Sequence, residues 1–170
     1  GETNDQLFVW LPEKRALFPG DNFYKTFPNL YTIRGTPYRD LVGWVNSIDM
    51  MRYLEPEYLV PSHTRPLVGA KTINNLLTTY RDAIQYVHDQ TIRLMNMGME
   101  PDEIAENLIL PKHLGDSPYL QEFYGSPAWS AKNVFSGYLG WFDGNPSSLK
   151  PLPKKEEASN IINLAGGWEK

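Results

Sequence analysis

Tyr58-Leu59-Val60-Pro61-Ser62-His63-Thr64-Arg65-Pro66 is a short apolar run that stops at a histidine, with an arginine and two prolines around it. Brief apolar runs bounded by turn residues mark buried strands. In open α/β layers the chemistry gathers in the loops beyond the strand ends, so this strand is expected to deliver the His63 imidazole to a site. A histidine that only makes structural hydrogen bonds is the alternative, and the stretch alone leaves both open.

Working outward, Leu7 to Leu11 is apolar, Glu13-Lys14-Arg15 is a charged turn, and Ala16-Leu17-Phe18 is apolar again, the pattern of a β-hairpin. Pro19-Gly20 ends the second strand and puts Asp21 at its tip, where an acid can face a site rather than the core. Tyr31-Thr32-Ile33 reads as a short strand leading to Arg34. From Arg39 to Leu54 the residues Leu41, Trp44, Val45, Ile48, Met51 and Leu54 recur at helical spacing, and Pro56 stops the helix. Hairpin, helix and strand make one layered α/β unit.

After Gly69 the pattern becomes all-helical. Thr72 to Met97 has one apolar stripe (Ile73, Leu77, Tyr80, Ile84, Val87, Leu94) and Gly98 in the position that takes a left-handed backbone. Its other face, Arg81, Asp82, Gln85, Asp89 and Arg93, reads as a solvated stripe. A further helix starts at Pro101-Asp102-Glu103, where early proline and acids suit a helix N-terminus, with Ile104, Leu108 and Ile109 expected inside. Another runs from Ala128 to Trp141, using Trp129, Val134, Phe135 and Tyr138. The proline-bearing tail from Ser147, with a weak amphipathic piece at Ile161 to Leu164, reads as a linker or a frayed end.

With 170 residues and 41% hydrophobic content, the chain can build a real core. Its net charge of -4 argues against nucleic acid as a partner, which calls for a concentrated basic face. No apolar run approaches the roughly 20 residues of a membrane-spanning helix. There is no cysteine, so disulfides and thiolate metal sites are excluded and any metal has to be held by His, Asp and Glu. Glu2, Asp21 and His63 are the candidate ligands, each where a strand ends or a loop starts; scattered surface acids are the competing explanation.

Five blocks then follow one another in a telling order: Phe18-Pro19-Gly20-Asp21-Asn22-Phe23, Asn29-Leu30-Tyr31-Thr32-Ile33-Arg34-Gly35, Pro61-Ser62-His63-Thr64-Arg65-Pro66, Tyr86-Val87-His88-Asp89-Gln90-Thr91-Ile92-Arg93-Leu94 and Gly140-Trp141-Phe142-Asp143-Gly144-Asn145-Pro146. Together they resemble the linear alkyl sulfatases of the metallo-β-lactamase superfamily, over nearly the whole chain. The resemblance implies α/β followed by all-α: residues 1–69 as the C-terminal part of an αββα metallo-β-lactamase-like domain, 70–146 as a helical dimerisation domain, and 147–170 as a linker or the start of a further domain.

It also implies a binuclear zinc site, with two Zn2+ ions held by a His-x-His-x-Asp-His block, two later acids and a last histidine. Glu2 and Asp21 match the acids, Asp21 standing where many members have glutamate, one methylene longer. His63 matches the last histidine. The His-x-His-x-Asp-His block does not occur in this sequence, so the chain would carry only part of the ligand set. Arg34 is the candidate for gripping sulfate through its planar fork, against the alternative of a surface arginine paired with a nearby acid; Arg65 is a second choice. Thr64-Arg65 replaces the family's more usual His-Trp pair. His88-Asp89, in the long helix, is expected to be structural.

The activity implied is hydrolysis of primary alkyl sulfate esters to alcohol and sulfate, by a homodimer formed through the helical region, in a periplasmic or secreted setting. Two other classes stay open: a non-catalytic helical interaction module beside a degenerate metal domain, and a metallo-β-lactamase-fold hydrolase of another ester.

Overall fold

The computed structural model describes residues 1–168 and divides into two compact units, Gly1–Gly140 and the residues from Trp141 onward. In the first unit the hairpin strands β1 (Val9–Leu11) and β2 (Ala16–Phe18) pair antiparallel, with Trp10 opposite Leu17. The chain leaves β2, forms helix α1 (Leu41–Tyr53) and returns as β3 (Tyr58–Leu59), which lies parallel to β2 with Leu17 opposite Leu59. Antiparallel β4 (Leu67–Val68) completes a sheet in the order β1-β2-β3-β4. A parallel pair needs a crossover connection, and α1 provides it.

Five apolar residues of α1, Leu41, Trp44, Val45, Ile48 and Met51, are buried as their spacing predicts. They meet the long helix α2 (Ala70–Asn96), whose buried face is Ile73, Leu77, Tyr80, Ala83, Ile84, Val87, Thr91 and Leu94. At its C-terminal end Gly98 takes a φ of +82°, which only glycine adopts without steric cost. Short helices α3 (Pro101–Asn107) and α4 (Lys112–Gly115) lead to α5 (Pro127–Leu139). Their residues Ile104, Leu114, Val134 and Phe135 extend the core built by the sheet, α1 and α2.

Four local expectations need correction. Tyr31-Thr32-Ile33 is a turn, closed by Gly35 N–H donating to Thr32 O at 3.1 Å and Thr32 Oγ1 donating to Thr36 at 2.9 Å, which leaves no extended edge to pair. Ile109 is 74% exposed, because α3 ends at Asn107 and Leu108 already has an extended backbone. Trp129 is half exposed and stands edge-on to Tyr31 at 6.0 Å instead of entering the core. Nor is the charged face of α2 wholly solvated: Arg81 Nε reaches Asp49 Oδ2 of α1 at 3.2 Å, while Asp49 Oδ1 accepts from Arg52 at 2.6 Å.

His88 joins helices, as expected of a structural pair. Its Nδ1 is 2.8 Å from Asp89 Oδ1 and its Nε2 is 2.8 Å from the Tyr138 hydroxyl of α5. The carboxylate can only accept, so Nδ1 donates to Asp89, and in the neutral ring Nε2 accepts from Tyr138. Tyr138→Phe removes this one link between α2 and α5, and a loss of about 1 kcal/mol is expected in denaturant titration. No loss would mean the bond is matched by water in the unfolded chain.

In the second unit, the tail read as a linker contains an eleven-residue helix, α6 (Lys154–Leu164), with no buried residue in it. Before it, Asp143 accepts from Ser148 Oγ at 2.6 Å and from Asn145 N–H at 2.9 Å. These bonds, the one from Ser148 first, hold its carboxyl below the usual range.

Candidate functional site

The turn after β2 is built around Asn22, a residue sequence reasoning passed over. Its side-chain amide donates to Pro19 O at 2.9 Å, its Oδ1 accepts from the backbone N–H of Glu2 at 2.9 Å, and its carbonyl accepts from Trp44 Nε1 at 3.0 Å. One buried asparagine therefore fixes Glu2, the turn bearing Asp21, and α1 to one another. Parallel pairing of β2 with β3 then brings the loop after β3 beside that turn, and His63 Nε2 lies 3.2 Å from Asp21 Oδ1.

A cavity of about 420 Å³ opens here, and Glu2, Asp21, Arg34 and His63 all line it. Four residues separated by up to 61 positions thus share one hollow, whereas Arg65 is exposed outside its lining. Arg34 is exposed and makes no ion pair among the described residues, so its guanidinium fork is free for an anion.

Further lining comes from residues that no motif singled out. Arg39 is 7% exposed and donates from Nη1 to Glu2 Oε1 and to Asn29 O, each at 2.5 Å, while its Nε is buried with no partner. Thr64 also lines the cavity, with its hydroxyl buried and unpartnered. Burial raises the Glu2 carboxyl above its ordinary value, against the opposing pull of Arg39; the neighbouring Asp21 raises it too.

The donor chemistry at Asp21 and His63, one carboxylate and one imidazole at contact distance, fits zinc. Glu2 is drawn into its pair with Arg39, and no cluster of three or more His, Cys, Asp or Glu side chains suited to a metal occurs among the described residues. The pair therefore fits as part of a metal site rather than as a whole one. No helix among the described residues is long and apolar enough to cross a membrane.

Over 99% of its length the chain is 43% identical to a linear primary-alkylsulfatase of a Pseudomonas species, and it covers 32% of that protein. Over nearly its whole length the chain is similar to alkylsulfatases. An alkyl/aryl-sulfatase of Saccharomyces cerevisiae is 34% identical over 98% of the chain, which covers 26% of that relative. The stereoselective inverting sec-alkylsulfatase Pisa1 from Pseudomonas sp. superposes with a TM-score of 0.89 at 30% identity, over 94% of this chain and 26% of its own. Residues 100–170 match the family described as alkyl sulfatase dimerisation. The chain spans between a quarter and a third of the length of these alkylsulfatases. Its mixed sheet with flanking helices, followed by helices only, matches an αββα-type domain followed by a helical dimerisation segment.

Proposed function

We propose that the chain is the middle of a zinc-dependent alkylsulfatase that hydrolyses primary alkyl sulfate esters, R–O–SO3⁻ and water giving alcohol and hydrogen sulfate. The meeting of Asp21 and His63 at 3.2 Å inside a cavity that also takes in Glu2 and Arg34 carries this reading. The choice of primary esters follows the relative at 43% identity; another linear primary-alkylsulfatase and an (R)-specific secondary-alkylsulfatase are each 31% identical to the chain.

Asp21, His63 and Glu2 would hold zinc, two ions being expected once an upstream segment adds the missing histidines. Zinc there supplies Lewis acidity, which acidifies water and opposes the charge on departing sulfate. Arg34 binds the sulfate oxygens through its planar fork and sets the orientation of the ester. Dimerisation through the helical region belongs to this proposal and is supported by the family match at residues 100–170; the division at Gly69 is proposed with it and falls inside the compact unit Gly1–Gly140.

In the full-length protein, elemental analysis is expected to find two zinc ions per chain and a dodecyl sulfate assay to find released sulfate. His63→Ala is expected to cut turnover by more than about 100-fold, since even changes one shell beyond a metal cost that order. A full-length protein with neither metal nor turnover would leave the helical interaction module as the better account.

A further inference from the structure

The charged groups of the cavity, Glu2, Asp21, Arg34, Arg39 and His63, all lie within the first 63 residues, but one wall comes from far along the chain. Tyr124 lies on the segment between α4 and α5, inside the region that matches the dimerisation family. This segment is fastened to the loop carrying Tyr24 and Thr26. Phe27 N–H donates to Gln121 O at 2.9 Å, Thr26 Oγ1 donates to the same carbonyl at 2.6 Å, and Gly125 N–H donates to Phe27 O at 3.3 Å. Gly125 passes so close to the backbone that a Cβ there would sit 2.0 Å from Pro28 O. Gln121 is itself held by its side-chain amide, which donates to Ser117 O at 2.9 Å.

The effect is to present the Tyr124 ring at the cavity, edge to face with Tyr24 at 5.8 Å, with 51% of its surface still open. Phe123 beside it is 84% exposed and continues the aromatic surface outward. An alkyl sulfate has one charged end and one apolar end. Arg34 serves the first, and a fixed aromatic face at the same cavity serves the second.

From this geometry we infer that Tyr124 is a specificity-determining residue, whose ring packs on the alkyl portion of the ester and makes long chains better substrates than short ones. This rests on reading the cavity as an alkylsulfatase site. The segment that matches a dimerisation family thereby also shapes what the site accepts.

The test uses the full-length protein with butyl, octyl and dodecyl sulfate, the last below its micelle-forming concentration, and binding of butane- and octanesulfonate, which are not hydrolysed. Tyr124→Ala is expected to raise KM for octyl and dodecyl sulfate roughly ten-fold, the contact of about two methylenes, with KM for butyl sulfate and kcat little changed. Tyr124→Phe keeps the ring and is expected to keep the chain-length preference. Gly125→Ala, which forces the segment off the loop, is expected to reproduce the alanine signature even though Tyr124 is intact.

Equal changes for all three esters, no change for any, or a Phe variant as impaired as the Ala variant would each overturn the inference. A wild-type protein that binds octanesulfonate in preference to butanesulfonate but hydrolyses no sulfate ester would overturn the proposed function alone, and the sulfonates would still decide the role of Tyr124. Wild type that binds neither sulfonate overturns both.

Discussion

Arg39→Ala is expected to cost about 3–5 kcal/mol of folding stability, as removal of one member of a buried ion pair does. Arg39 is paired with Glu2 at 2.5 Å, both side chains are buried, and the same nitrogen also serves the Asn29 carbonyl. In the metal-free protein, alanine leaves a carboxylate out of water with no cation and a carbonyl with no donor. The loss should depend on pH in a definite direction. Burial raises the Glu2 carboxyl, and Arg39 is the main force pulling it back down. A raised folded-state pKa means the group favours the fold most when protonated, and that contribution fades as pH rises through the raised value. The penalty of Arg39→Ala is therefore expected to shrink near about pH 4 to the part owed to the Asn29 carbonyl and to be complete near about pH 8. Adding Glu2→Gln should recover much of it at the higher pH. Urea titrations of the metal-free full-length protein at both values check this; equal losses at the two would show that the Glu2 charge is not the cause.

Trp44→Ala is expected to destabilise by about 3–5 kcal/mol, the range for deleting a fully buried large aromatic side chain. Trp44 has no exposed surface, stands where α1 faces the turn after β2, and ties the two with its hydrogen bond to Asn22. Trp44→Phe separates packing from hydrogen bonding. It keeps most of the apolar contact and is expected to cost about 1 kcal/mol through the lost donor, while loosening the turn that carries Asp21. In a dodecyl sulfate assay on the full-length protein this variant should lose proportionately more turnover than stability. A variant with full turnover would show that Asn22 holds the turn without help from α1.

The elements with a clear period were legible from residue types. Trp44, Ile48, Tyr80, Ile84 and Val134 are buried where helical spacing put them, and the Ala16–Phe18 hairpin strand lies where the charged turn Glu13-Lys14-Arg15 placed it. What misled was apolar character without a neighbour to pack on. Ile109 and Trp129 suit a core by type, yet the chain turns away at Leu108 and Tyr31 offers Trp129 only an edge. The cavity was partly legible: the resemblance pointed to Asp21, His63, Glu2 and Arg34, and all four line it. Arg39, Asn22 and Tyr124 escaped because their roles come from long-range contacts. Asn22 matters through a bond across 20 residues to Glu2, and Tyr124 through bonds between residues 27 and 121. No local pattern encodes such pairings.

The parallel strand pair also fixes a sequence of events in time. Leu17 can sit opposite Leu59 only after about forty intervening residues have been drawn into a loop, an entropic cost incurred before any contact repays it. Antiparallel β1 and β2 can zip on their own, but the parallel closure waits for α1 to dock. Until then Asp21 and His63 belong to separate parts of a fluctuating chain. The pairing itself runs through Ala16, Leu17, Tyr58 and Leu59 and not through Asp21 or His63, so removal of a metal from that pair is expected to leave the sheet standing.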